Sequence, residues 1–139
     1  MTTATLTAAP HARTRALTRT LWTLQILVGL FFVVASAGPK LFGEAYAVEI
    51  FTQIGAGQWF RFVIGAVELA GGIGLLVPRL AGAAALGLVG LMVGAAYTQS
   101  FVLDNPAFVV TPVLLGIVTG FIAWSRREEI AQLAGRFRR

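Results

Sequence analysis

The chain has 139 residues, about one domain's length, with a net charge of +5, 57% hydrophobic residues and 12% charged ones. Soluble domains carry roughly 25% charged residues, so a water-soluble monomer is excluded, and the apolar excess excludes a disordered chain. The mean hydropathy of +0.79 agrees, and the composition is that of a protein embedded in a bilayer. There is no cysteine, and the single histidine, His11, lies in a polar N-terminal stretch. Iron–sulfur clusters, thiolate metal sites and covalent haem attachment have no ligands here, so no metal site is expected. The arginines gather at the two ends, Arg13, Arg15 and Arg19 at one and Arg126, Arg127, Arg136, Arg138 and Arg139 at the other. No aromatic residues interleave with them and no nucleic-acid-binding motif is present, so the basic character points to membrane flanks rather than to nucleic acid.

In chain order, residues 1–19 read as a basic N-terminal tail, 20–125 as the membrane domain and 126–139 as a basic amphipathic C-terminal tail. The membrane domain holds four apolar segments, at about 21–37, 60–77, 80–97 and 108–124. Each is at the short end of the roughly 17–25 residues that span about 30 Å of hydrocarbon. Long unalternating apolar runs in so short a chain cannot close a β-barrel, so helices are expected. Ala35-Ser36-Ala37 after the first segment resembles a signal-peptide cleavage site. The basic region before it is long for that role, and three remaining helices would pack poorly, so the segment is expected to stay.

The connection 38–58 is the long one. In it Ala47, Ile50, Phe51 and Ile54 recur at helical spacing against Glu44, Glu49 and Gln53, which predicts a short amphipathic helix lying on the outer surface. Pro78-Arg79 makes a tight turn, and Asp104-Asn105-Pro106 marks a turn in the connection 98–107. In the C-terminal tail Ile130, Leu133, Ala134 and Phe137 share one face, as in an interfacial anchor helix, with a solvated basic tail as the equal alternative. The fold expected is an all-α integral membrane four-helix bundle, up-down-up-down. With the N-terminus cytoplasmic, nine Lys and Arg face the inside and two, Lys40 and Arg61, the outside, so both termini are expected in the cytoplasm.

Glu68 is the most informative residue. It lies in mid-segment, roughly 13 Å from the outer boundary and 16 Å from the inner one at 1.5 Å per residue. A charge at that depth costs on the order of 3 kcal/mol on insertion scales and marks a functional candidate: a proton carrier, or a ligand for a polar headgroup. The structural alternative is a buried pair or an interhelical hydrogen bond. Arg61, seven residues earlier, shares its face about 10 Å outward, but side chains lean toward the helix N-terminus, so no direct contact is expected. Lys40 falls about 12 Å above Glu68 by helical rise, slightly beyond reach. Lys40, Arg61 and Glu68 are therefore expected to frame an outward-opening polar pocket, with Trp59, Tyr97, Thr98 and Gln99 near its mouth. Taken singly, Lys40 and Arg61 also suit interfacial snorkelling. Thr119 is level with Glu68, although a threonine more often bonds its own helix. Gly90-x-x-x-Gly94 and Gly116-x-x-x-Gly120, with Gly71, Gly72 and Gly74, suggest faces for close helix packing.

The run Gly65-Ala66-Val67-Glu68-Leu69-Ala70-Gly71-Gly72, continued by Leu75-Leu76-Val77-Pro78-Arg79, resembles the second-helix signature of the DoxX family of small four-helix membrane proteins. Gly38-Pro39-Lys40-Leu41-Phe42-Gly43 and Gly94-Ala95-Ala96-Tyr97 also match, and the likeness covers roughly residues 22–125. Many members have a histidine near the end of helix three, where this chain has Tyr97-Thr98-Gln99. The family is similar to the membrane subunits of thiosulfate:quinone oxidoreductase, and members are linked to respiratory and oxidative-stress systems. The resemblance supports Lys40, Glu68 and Arg79 as characteristic polar positions.

Two functions follow as expectations. The first is an accessory or quinone-interacting membrane subunit of a redox system, with no intrinsic cofactor, a non-covalently bound quinone and a redox partner protein. The alternative is a small transporter or channel-like bundle, formed as a homo-oligomer, that uses Glu68 as a proton- or cation-responsive group; a structural scaffold is the blander form. Whether the chain is an enzyme is open in the sequence. The expected location is a cell membrane of bacterial type, with the lipid bilayer as the first partner.

Overall fold

The computed structural model describes residues 10–138, with side chains from Thr14 onward. The expectations for His11, Arg13, Arg139 and residues 1–9 lie outside the described side chains. Every regular element among the described residues is helical, with no strand. Four helical runs are long and apolar enough to cross a membrane: Thr14–Phe42, Gln58–Leu76, Ala81–Val102 and Pro106–Ser125.

The first run is longer than the apolar segment that announces it. Helix α1 (Pro10–Leu30) begins well inside the stretch read as a tail. Proline suits the first helical position, and the Ala, Arg and Leu that follow are good helix formers. A wide-turned π-helical stretch, Phe31–Ala37, follows directly, and then the short α2 (Gly38–Phe42). Pro39 gives the reason for the wide turn. It has no N–H to offer the carbonyl four residues back, and its ring crowds that carbonyl, so a regular α-helix cannot continue through it.

Helix α3 (Ala45–Ile54) is the amphipathic segment expected from its pattern, with Ala47 and Phe51 buried. It is set off by Gly43 at φ +73° and Gly55 at φ +79°, left-handed conformations that glycine adopts without a Cβ penalty. Helices α4 (Gln58–Leu76) and α5 (Ala81–Tyr97) are joined by the tight turn at Pro78-Arg79, where Arg79 is exposed. A second π-helical stretch, Thr98–Val102, prolongs α5 beyond the expected end at 97. Asp104 then turns the chain with φ 48°, and a short 3₁₀ turn leads into α6 (Val110–Ser125). The C-terminal residues form a helix, α7 (Arg127–Arg136), with no fully buried residue.

Successive membrane helices pack antiparallel, and the core is made by Val28, Phe32, Leu75, Ala85, Leu88, Met92, Ile122 and Ala123. Glycines allow the closest approaches. A Cβ on Gly72 would stand 2.9 Å from the Gly29 carbonyl oxygen, and one on Gly29 would stand 2.9 Å from that of Gly72, so α1 and α4 meet backbone to backbone. Gly71 lies against Leu88 and Gly74 against Ala84, which draws α5 onto α4. The outer surface of the bundle carries many exposed large apolar side chains, among them Leu27, Val34, Val93, Leu114 and Ile117, as a lipid-facing belt requires.

Candidate functional site

The ends of the bundle differ in kind. Toward the start of α1 and the end of α6, the helices are tied together. Gln25, fully buried, donates from Nε2 to the Leu75 carbonyl (2.9 Å) and accepts from Arg126 Nε (2.6 Å). Arg126 also donates to Glu129 of α7, and its guanidinium lies 5.2 Å from the Trp22 ring centroid. Gly82 receives Ile130 and the Arg126 backbone, which seats α7 against the bundle. Apolar periodicity does not reveal this network. Its signal was present: a glutamine inside an apolar span needs a partner.

In the other half a cavity of about 570 Å³ is walled by residues of all four membrane runs and roofed by α3. Its walls are mainly apolar, with Phe31, Phe51, Phe60 and Phe108 among them. Gln58 holds the roof by donating to the Val48 carbonyl (3.1 Å) and to Thr52 Oγ1 (3.0 Å), while Phe51 packs edge-on to Phe60 at 5.9 Å.

Lys40 and Glu68 are the charged groups of the deep wall. Lys40 Nζ lies 2.8 Å from Glu68 Oε2, so the pair that helical rise left just out of reach is closed. The wide stretch before Lys40 explains the difference. Turns closed by i→i+5 bonds take up more residues per turn than α turns, so Lys40 sits deeper than a 1.5 Å rise per residue places it. Lys40 also donates to the Ser36 carbonyl (3.0 Å) and to Ser36 Oγ (3.3 Å). Glu68 is 4% exposed, and Oε2 receives no well-directed hydrogen bond; the ammonium's directed bonds go to Ser36. Among the described residues, nothing besides Lys40 bonds to the Glu68 carboxylate.

Arg61 does not snorkel. It is 5% exposed, donates from Nε to Gln58 Oε1 (2.7 Å) and from Nη1 to the Lys40 carbonyl, and lies 4.3 Å from the Phe62 ring centroid. It thus holds the end of the first run against the start of α4 and positions Lys40 without lining the cavity. Gln99 and Thr98 do line it. Trp59 and Tyr97 do not: they turn outward, 65% and 61% exposed, as interfacial aromatics. Thr119 donates to the Leu115 carbonyl of its own helix (2.7 Å) rather than to Glu68.

The expected packing glycines divide. Gly116 and Gly120 face Met92 and Val89 at ordinary contact distance, 3.4 and 3.8 Å from an added Cβ. Gly90 and Gly94 face open space instead and line the cavity, so their small size makes room rather than contact. Periodicity gives both pairs the same spacing, and only the placement of the neighbouring helix distinguishes them.

Among the described residues no three His, Cys, Asp or Glu side chains gather as a metal cluster would require. The cavity is instead of the size, and has the apolar walls and few polar groups, of a site for a small organic ligand. Comparison with curated proteins and with solved structures finds no match. A comparison with protein families matches residues 23–122 to the DoxX-like family. That match takes in most of the first and last membrane runs and all of the two between them, with the wide turn, Lys40 and Glu68, and the chain belongs to the DoxX-like family.

Proposed function

We propose that this chain is a quinone-interacting membrane subunit of a redox system, with the cavity as the headgroup site. The observation that carries the reading is the apolar cavity of about 570 Å³ with one buried ion pair, Lys40–Glu68, in its wall. The volume falls within the roughly 300–1,000 Å³ of small-molecule sites. Phenylalanines give a flat aromatic headgroup surfaces to pack on. The ion pair gives its polar edge something to meet within hydrocarbon. The chain has no cysteine, so in this reading a partner protein supplies the redox centre.

Native mass spectrometry of the protein released gently from its own membranes tests this. The wild-type chain is expected to keep a quinone-class ligand. Gly90→Leu, which places a side chain in open cavity space, is expected to lose it while remaining folded. A wild-type protein that leaves the membrane bare overturns the reading and favours transport through Glu68 or scaffolding.

A further inference from the structure

We infer that the cavity selects a neutral ligand presenting a phenolic hydroxyl, the reduced form of the quinone class, over the carbonyl form. This rests on the cavity being a quinone-class site, and it concerns which redox form is held.

Hydrogen-bond capacity sets the preference. An ammonium has three donors and a carboxylate about four lone-pair sites, with nothing to donate. Lys40 directs hydrogen bonds to the Ser36 carbonyl and to Ser36 Oγ, and its charge is held 2.8 Å from Glu68 Oε2 as an ion pair. The ammonium's directed bonds thus stay within its own helix, and its charge faces Glu68 rather than a ligand carbonyl. Glu68 is the reverse. It is almost fully buried, lines the cavity, and has an ion pair at Oε2 but no directed hydrogen bond there. Thus the deep polar edge offers acceptors.

A ligand O–H meets that edge with a charge-assisted bond. A ligand with acceptors alone brings its lone pairs against a carboxylate and leaves the carboxylate's spare capacity buried and unmet, an unfavourable arrangement in low dielectric. Charge narrows the class further. Lys40 and Glu68 neutralise one another, and the other carboxylate of the wall, Glu44, is exposed. An anionic or cationic headgroup would therefore enter an apolar space without a counter-charge. The four phenylalanines of the wall suit an aromatic ring better than an alkyl alcohol.

The test uses two probes of nearly the same shape, 4-pentylphenol and 4-pentylanisole, titrated calorimetrically into the full chain in nanodiscs. Empty nanodiscs and Gly90→Leu give the partition baseline. In the wild type the phenol is expected to bind about 10- to 100-fold more tightly than its methyl ether, the span of a hydrogen bond to a charged group. In Lys40→Met/Glu68→Leu, which keeps the cavity and removes its polar edge, the preference is expected to vanish. Equal binding of both probes to the wild type overturns the donor preference and leaves the cavity reading standing. A preference that survives in the double variant assigns it elsewhere and also overturns the inference. No saturable binding of either probe overturns the cavity reading and this inference together. The wild-type comparison decides the matter even where the double variant fails to fold.

Discussion

Lys40 and Glu68 illustrate how a residue acquires its meaning from its partner. Each is costly alone in hydrocarbon; together they form a closed pair whose geometry leaves Glu68 partly unmet. Removing one partner of a buried pair leaves an uncompensated charge, which typically costs about 3–5 kcal/mol, whereas replacing both by apolar residues is often neutral or stabilising. Lys40→Met is therefore expected to lower the melting temperature sharply in detergent, and Lys40→Met/Glu68→Leu to recover most of the loss. A single variant as stable as the wild type would show that the pair contributes nothing to folding. Glu68 was legible as a site because a charge in mid-span stands out against its sequence. Its partner was less legible. Straight helical rise places Lys40 too far outward, and the wide turn that corrects this is set by Pro39, whose effect on register does not show in hydrophobic periodicity. Gln25 escaped notice for a related reason: its partners, Leu75 and Arg126, are 50 and 101 residues away.

The helices were read from sequence to within a few residues in the middle of the chain and less well at its ends. Apolar runs locate the stretch that meets lipid, while a helix can run on through polar residues, as α1 does back to Pro10. Helix α3 was recoverable because Ala47, Ile50, Phe51 and Ile54 obey a period that one covered face imposes. Glycine spacing was a poorer guide to packing. Gly72 lies between Val33 and the Gly29 carbonyl, whereas Gly90 meets nothing. Gly72→Ala is thus expected to force α1 from α4 and to destabilise by about 1–3 kcal/mol, as overpacked sites do. Gly90→Ala, in open space inside a helix, is expected to stabilise by about 0.5–1 kcal/mol. Melting temperatures of the two variants in one detergent check the contrast, and equal shifts would contradict the packing described.

Across the whole molecule, the two halves divide the work. The half at the termini is closed by Gln25, Arg126, Glu129 and the docked α7; the other half holds open space under a roof. Charge runs along the same axis, with arginines concentrated at the closed end. That asymmetry predicts that the closed end faces the cytoplasm and the roof faces outward. Because the chain has no cysteine, single replacements can report this cleanly. In intact cells, an impermeant maleimide is expected to label Gln53→Cys on α3 and to spare Gly135→Cys on α7 until the membrane is breached. The opposite pattern would invert the topology.

The wide turn before Lys40 also limits how this chain can vary. Apart from Phe32, Ser36 and Pro39, side chains between Gly29 and Lys40 lie mainly on the partly or fully exposed apolar face, so one apolar residue there can replace another with little effect. Their number is a different matter. An inserted or deleted residue in that stretch would swing Lys40 to a new bearing around the helix and separate it from Glu68. The segment is therefore constrained in length more strictly than in composition, and insertions or deletions should be tolerated far less there than exchanges of one apolar residue for another.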